Sequence, residues 1–68
     1  LKIDPNAVGI EFFRQNIGKK IEITTPDGWG LAGNLLQFDS YNILMLVAGK
    51  PVLVKQAPGM IFHTANGG

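Results

Sequence analysis

The run from Asp27 to Val47, DGWGLAGNLLQFDSYNILMLV, constrains this chain more than any other stretch. Asp27-Gly28 opens it with a pair that tolerates the positive φ of short hairpin turns. Gly33 then falls inside a long apolar segment, where a missing side chain marks a bend, a bulge or a close backbone approach. Trp29, Leu31, Gly33 and Leu35 share one phase of a strand, whereas Leu36 and Phe38 take the other. A bulge or sharp bend is therefore expected between Gly33 and Leu36. Asp39-Ser40 interrupts the apolar pattern, and Ile43-Leu44-Met45-Leu46-Val47 follows without a polar gap. Such a run is a strand covered on both faces or a buried helix segment. The turn residues before it and Gly49-Lys50-Pro51 after it favour a strand from Tyr41 to Val47.

The flanking sequence supplies one helix and three more strands. Leu1 to Ile3 reads as a frayed lead, and Asp4-Pro5 as a helix start with Asp as the cap. The helix is expected over about 5–17, closing at Gly18 in the left-handed region. Val8, Phe12 and Ile17 fall on one side, with Ile10 and Phe13 flanking it. Gly9 inside this helix costs up to about 1 kcal/mol relative to Ala. Lys19 and Lys20 lie where cations suit the helix dipole. Lys20 to Thr25 alternates, with Ile21 and Ile23 inward, and Pro26-Asp27-Gly28 turns the chain. Ala48-Gly49-Lys50 is a short turn, so Pro51 to Lys55 runs antiparallel to the preceding strand. Pro58-Gly59 breaks the chain before a last strand, Met60 to Thr64, and Ala65 to Gly68 reads as a loose tail. The expected fold class is all-β: one N-terminal α-helix and a small, strongly bent five-stranded antiparallel barrel over about 20–64. The whole of 1–68 forms one domain.

Composition sharpens this. A chain of 68 residues buries a modest core. With no Cys it has no disulfide, and with one His it offers no zinc site. Yet 46% of its residues are apolar and only 16% charged. That is more apolar than a lone subunit with much surface and little interior requires. The last two strands, around Val52-Leu53-Val54 and Met60-Ile61-Phe62, are apolar on both faces, and at least one lies at a sheet edge. An exposed apolar edge is an aggregation hazard. Pairing it with the other edge of an identical subunit, head to tail, closes a ring. The net charge of +1 permits a nucleic-acid partner without demanding one. No run approaches the roughly 20 apolar residues of a membrane helix, and the start lacks a basic-then-apolar leader. A cytoplasmic, membrane-free protein is the expectation.

Catalytic chemistry finds little support. Asp4, Glu11, Glu22, Asp27 and Asp39 show no acid/base spacing, and His63 has no Cys, Ser or Asp partner in sequence. GWGLAG lacks the Lys-Ser/Thr ending of a phosphate loop and precedes no helix, so its glycines serve strand bending. No enzymatic activity, metal or cofactor is expected. Tyr41 has two readings: a core aromatic, or a platform for a nucleic-acid base, each stacked base contributing about 1–3 kcal/mol. Lys55 is either a surface lysine lying along apolar residues or a phosphate contact multiplied by symmetry.

Taken together, Gly28, Gly33, Phe38-Asp39, an aromatic two residues past the Asp, and Ile43-Leu44 resemble the first motif of the Sm-like family, closest to its Hfq branch. The resemblance covers about three quarters of the chain, from near Phe12 to Phe62. It implies an N-terminal helix before a bent five-stranded barrel. It also implies a homo-oligomeric ring of about five to seven subunits joined through strands four and five, and uridine-rich single-stranded RNA bound near the pore. The RNA-binding positions it implies are Ser40 and Tyr41, then Lys55 and Gln56 in VLVKQA, with Asp39 orienting the loop. Gln56 stands where Hfq usually has His; an amide can hydrogen-bond a uracil edge or ribose but carries no charge. The sequence departs from the family at Ile43, where Sm proteins have Asn, and at Lys55-Gln56, which replace Arg-Gly. The Hfq adenine-binding face corresponds to Thr24, Gly30 and Ala32, which implies that adenine binding is lost or very weak. The basic rim is thin, with Arg14, Lys19 and Lys20, and Trp29 is either core or a contact between rings. The implied function is a ring subunit that binds uridine-rich RNA in RNA metabolism or riboregulation. The alternative is a structural ring that scaffolds protein partners with little RNA affinity, which the low net charge suits.

Overall fold

The computed structural model describes residues 5–65, with side chains from Gly9 onward. The frayed lead, the Asp4 cap, the Val8 side chain and residues 66–68 of the tail lie outside the described residues. One helix, α1 (Pro5–Gln15), precedes five strands: β1 (Lys20–Thr24), β2 (Gly30–Phe38), β3 (Asn42–Val47), β4 (Lys50–Lys55) and β5 (Ile61–Thr64). All strand pairs are antiparallel, and the order across the single sheet is β4-β3-β2-β1-β5. This all-β arrangement is consistent with the small Sm-like architecture.

Turn chemistry sets the boundaries. The helix stops two residues earlier than expected because Asn16 turns back on it. Its Nδ2 donates to Phe12 O at 2.7 Å, and its N–H donates to Phe13 O at 3.0 Å. Gly18 then takes φ 81°, and its N–H donates to Leu35 O at 2.7 Å, tying the helix exit to β2. At the β1–β2 turn Gly28 has φ 92°. Thr25 braces this turn: its Oγ1 donates to Asp27 Oδ1 at 2.5 Å and accepts from the Trp29 N–H at 3.0 Å. Between β3 and β4, Ala48 and Gly49 have φ of 51° and 80°, the two-residue turn whose twist matches a hairpin.

The expected irregularity in β2 is a bulge at Leu36. Leu35 pairs with Met45 and Gln37 with Leu44, so Leu36 has no partner and the inward phase passes from Leu35 to Phe38. Gly33 allows β2 and β3 to approach. A Cβ there would sit 2.6 Å from the Leu46 carbonyl oxygen and 2.8 Å from Val47 Cγ2.

The core is Phe13, Ile21, Ile23, Leu35, Ile43 and Met45. Phe13, expected only to flank the helix's apolar face, is its buried anchor. Its ring meets Phe12, Phe38 and Phe62 at centroid distances of 5.6, 5.4 and 5.1 Å. Phe12 is half-buried, and Ile17 is exposed because the helix has ended before it. The β3 run is not covered on both faces. Ile43 and Met45 point into the core, whereas Leu44 is half-buried and Leu46 exposed, since this chain places nothing over the outer face among the described residues. Leu53 on β4 and Ile61 on β5 are 67% and 61% exposed, one on each edge strand. Among the described residues no helix is long and apolar enough to cross a membrane.

Two substitutions test this account in opposite directions. Gly33→Ala should lower stability by about 1–3 kcal/mol through overpacking between β2 and β3. Ala48→Asn should raise it by about 0.5–1 kcal/mol, because Asn tolerates the left-handed region better. Urea denaturation midpoints at one fixed protein concentration check both.

Candidate functional site

The site implied by the resemblance comes from two separate stretches, 39–41 and 55–56. The β3–β4 hairpin joins them. Its register places Asn42 opposite Lys55, so the loop before β3 lies beside the end of β4. The Gln56 N–H donates to Tyr41 O at 2.8 Å, and the Gln56 Nε2 donates to Asp39 O at 2.9 Å. Asp39, Ser40, Tyr41, Lys55 and Gln56 therefore form one contiguous surface.

Asp39 holds the loop in shape. Its Oδ1 accepts from the Tyr41 N–H at 2.7 Å and from the Asn42 N–H at 2.6 Å, and the Asn42 Nδ2 lies 3.5 Å away. The Asp39 N–H donates in return to Asn42 O at 2.9 Å. The Tyr41 amide first, and the Asn42 amide second, hold the Asp39 carboxyl below its ordinary value, so it is an anion at neutral pH. This is an Asx-type turn, in which a short side chain replaces the next residues' backbone partners.

With its amide and carbonyl fixed, Tyr41 projects its ring outward. It is 72% exposed, which removes the core reading. Trp29 is likewise exposed, at 73%, and is not core. Ser40 and Lys55 are exposed, and Gln56 is half-buried against the loop. A cleft of about 360 Å³ adjoins this surface, lined by Gly9, Ile10, Phe13, Phe38, Asp39, Ser40 and Gln56. The helix thus contributes a wall that the motif residues alone do not reveal. The one signal for it in the sequence is Gly9, a glycine where a helix prefers almost anything else.

The remaining candidate positions lie elsewhere. Thr24, Gly30 and Ala32 border a separate depression of about 280 Å³ with Glu22, Ile23 and Leu31, and they bring no aromatic, lysine or glutamine side chain to it. His63 pairs across β1–β5 with Glu22, its Nε2 3.4 Å from Glu22 Oε2, both about half exposed. Arg14 faces Glu11 on the helix at 3.6 Å. Chemically, the 39–41 and 55–56 surface offers one aromatic face, one cation, one anion already satisfied by backbone amides, and hydroxyl and amide groups. It suits stacking and hydrogen bonding more than strong electrostatic capture. The chain matches no family model and no curated protein.

Because the folded carboxyl is depressed, its contribution to the loop is complete above the ordinary carboxylate range. It is lost only as pH falls through the lowered value. Asp39→Ala should therefore speed hydrogen exchange at the Tyr41 and Asn42 amides at neutral pH, with Asp39→Asn intermediate. In the parent chain the same protection should fade only in acid. Amide exchange followed by NMR checks both.

Proposed function

We propose that the chain is a subunit of an Sm-like homo-oligomeric ring that binds uridine-rich single-stranded RNA near its pore. The observation that carries this reading is the meeting of the 39–41 loop with the end of β4, with Tyr41 held outward on a braced loop. Tyr41 stacks on a base, Lys55 neutralises a phosphate, and Ser40 and Gln56 hydrogen-bond the base edge or ribose. Asp39 contacts no base and keeps the loop in place. The ring is supported by the two open sheet edges, β4 and β5, each with an exposed apolar side chain. Subunits add head to tail through these edges, and symmetry repeats a weak site around the pore. Such a ring belongs to RNA metabolism or riboregulation.

A second reading, a ring that scaffolds proteins and binds RNA poorly, draws on one observation. The single cation of the site shares its surface with the ionised Asp39, so each subunit presents little net positive charge.

Titration of labelled oligo-uridine and oligo-adenine separates the two. The RNA reading expects oligo-uridine to bind better and Tyr41→Ala to remove most of the affinity. The logarithm of affinity should fall against the logarithm of salt by about 0.7 per phosphate contacted. Absence of binding to either oligomer at low salt supports the scaffold.

A further inference from the structure

Gly9 lacks the usual reasons for a glycine. It sits inside α1, where glycine costs up to about 1 kcal/mol relative to alanine. It is not among the residues with positive φ, so the backbone does not require it. A Cβ built on it would meet nothing within 4 Å, so packing among the described residues does not require it either. What Gly9 does is line open space. It borders the cleft of about 360 Å³ shared with Asp39, Ser40 and Gln56, and a second of about 330 Å³ shared with Phe12, Phe62 and again Phe13 and Gln56. The two clefts meet at Gly9, Phe13 and Gln56, in the groove between the helix and the Tyr41 loop.

This groove has the makeup of a small-ligand site rather than of a gap in the core. The first cleft falls in the size range of small-molecule pockets. Ile10, Phe13 and Phe38 give it apolar walls for a flat ring, and polar groups stand at one side. The Gln56 Nε2 is committed to Asp39 O, which turns the amide oxygen away from that carbonyl. Among the described residues neither Gln56 Oε1 nor the Ser40 hydroxyl has a hydrogen-bond partner, and both residues line the cleft. Uracil carries a ring N–H donor for the amide oxygen.

Resting on the RNA reading above, we infer that the helix groove at Gly9 receives a second nucleotide of the same strand, with Ser40 and Gln56 standing between the two nucleotides: the groove uracil takes Gln56 Oε1, and the nucleotide on Tyr41 shares the Ser40 hydroxyl. The groove uracil lies between Ile10 and Phe38, and its neighbour stacks on Tyr41. Gly9 is the residue that keeps the groove open. The site in each subunit then spans two nucleotides, one held outside by Tyr41 and one inside by the helix.

The test uses Gly9→Leu, which fills the groove, and Gly9→Ala, which narrows it while strengthening the helix. Both are compared with Tyr41→Ala by oligo-uridine titration, with mass by light scattering and melting by circular dichroism. The inference expects Gly9→Leu to weaken oligo-uridine binding at least tenfold with mass unchanged. Gly9→Ala should melt higher and bind a few-fold more weakly, so it decides the matter even where Gly9→Leu fails to fold. Undiminished binding by the Gly9 variants, with loss in Tyr41→Ala, overturns the groove and leaves the Tyr41 site standing. A changed oligomer mass in the Gly9 variants also overturns it and assigns the groove to a neighbouring copy. Failure of the parent protein to bind oligo-uridine overturns both readings together.

Discussion

Two rows of backbone amides and carbonyls, on the outer edges of β4 and β5, find no partner among the described residues. Everything else in this small protein stands in relation to that constraint. The order β4-β3-β2-β1-β5 leaves one open edge at each end of a five-stranded sheet that carries a bulge in β2. Leu53 and Ile61 place hydrocarbon beside those edges. Soluble proteins protect open edges with charge, proline, bulges or a covering element. Here β4 carries Lys50, Pro51 and Lys55 at its ends, but its middle is Val52-Leu53-Val54, and β5 carries Ile61 and Phe62. The bulge at Leu36 lies in β2, inside the sheet, so it bends the sheet without protecting an edge. The proposed head-to-tail ring would answer the constraint with the same contact repeated.

The proposed RNA site follows from the bend. The bulge moves β2 from one inward phase to the other and delivers Phe38 to the core just before Asp39. Phe13 packs on Phe38, which sets the helix beside the Tyr41 loop. The Asp39 carboxylate then closes that loop on the Tyr41 and Asn42 amides, and Gln56 joins it to β4. A chain of short-range contacts thus runs from a strand defect to an outward aromatic and a groove beneath it. The proposed site draws on shape and hydrogen bonding, since each subunit brings one lysine to it and Asp39 is ionised on the same loop.

Much of this was legible in the residues, because turns and strand phases have local causes. Gly18, Gly28 and Gly49 mark positive φ, and the phase change after Leu35 marks the bulge. The register of the last hairpin follows from its two-residue turn. Less legible were features fixed by the rotation of an element or by what lies across from it. A helix with apolar residues at 8, 10, 12, 13 and 17 does not declare which one anchors it; the sheet selects Phe13. The unbroken run in β3 reads as covered on both faces, yet one chain covers only one of them. The exposure of Tyr41 depends on a loop closed by Asp39, which no periodicity expresses. Gly9 registers in the sequence only as a weakness of the helix, and its groove becomes visible once Asp39, Ser40 and Gln56 stand opposite.

We propose that this chain completes its sheet with copies of itself. The most direct measurement is the mass of the folded protein in dilute buffer, by sedimentation or light scattering, with amide exchange read on β4 and β5 in the same sample. The account predicts a closed assembly whose mass is a fixed multiple of 7.3 kDa and whose outer-edge amides are protected. A well-folded 7.3 kDa species with freely exchanging outer-edge amides would contradict it.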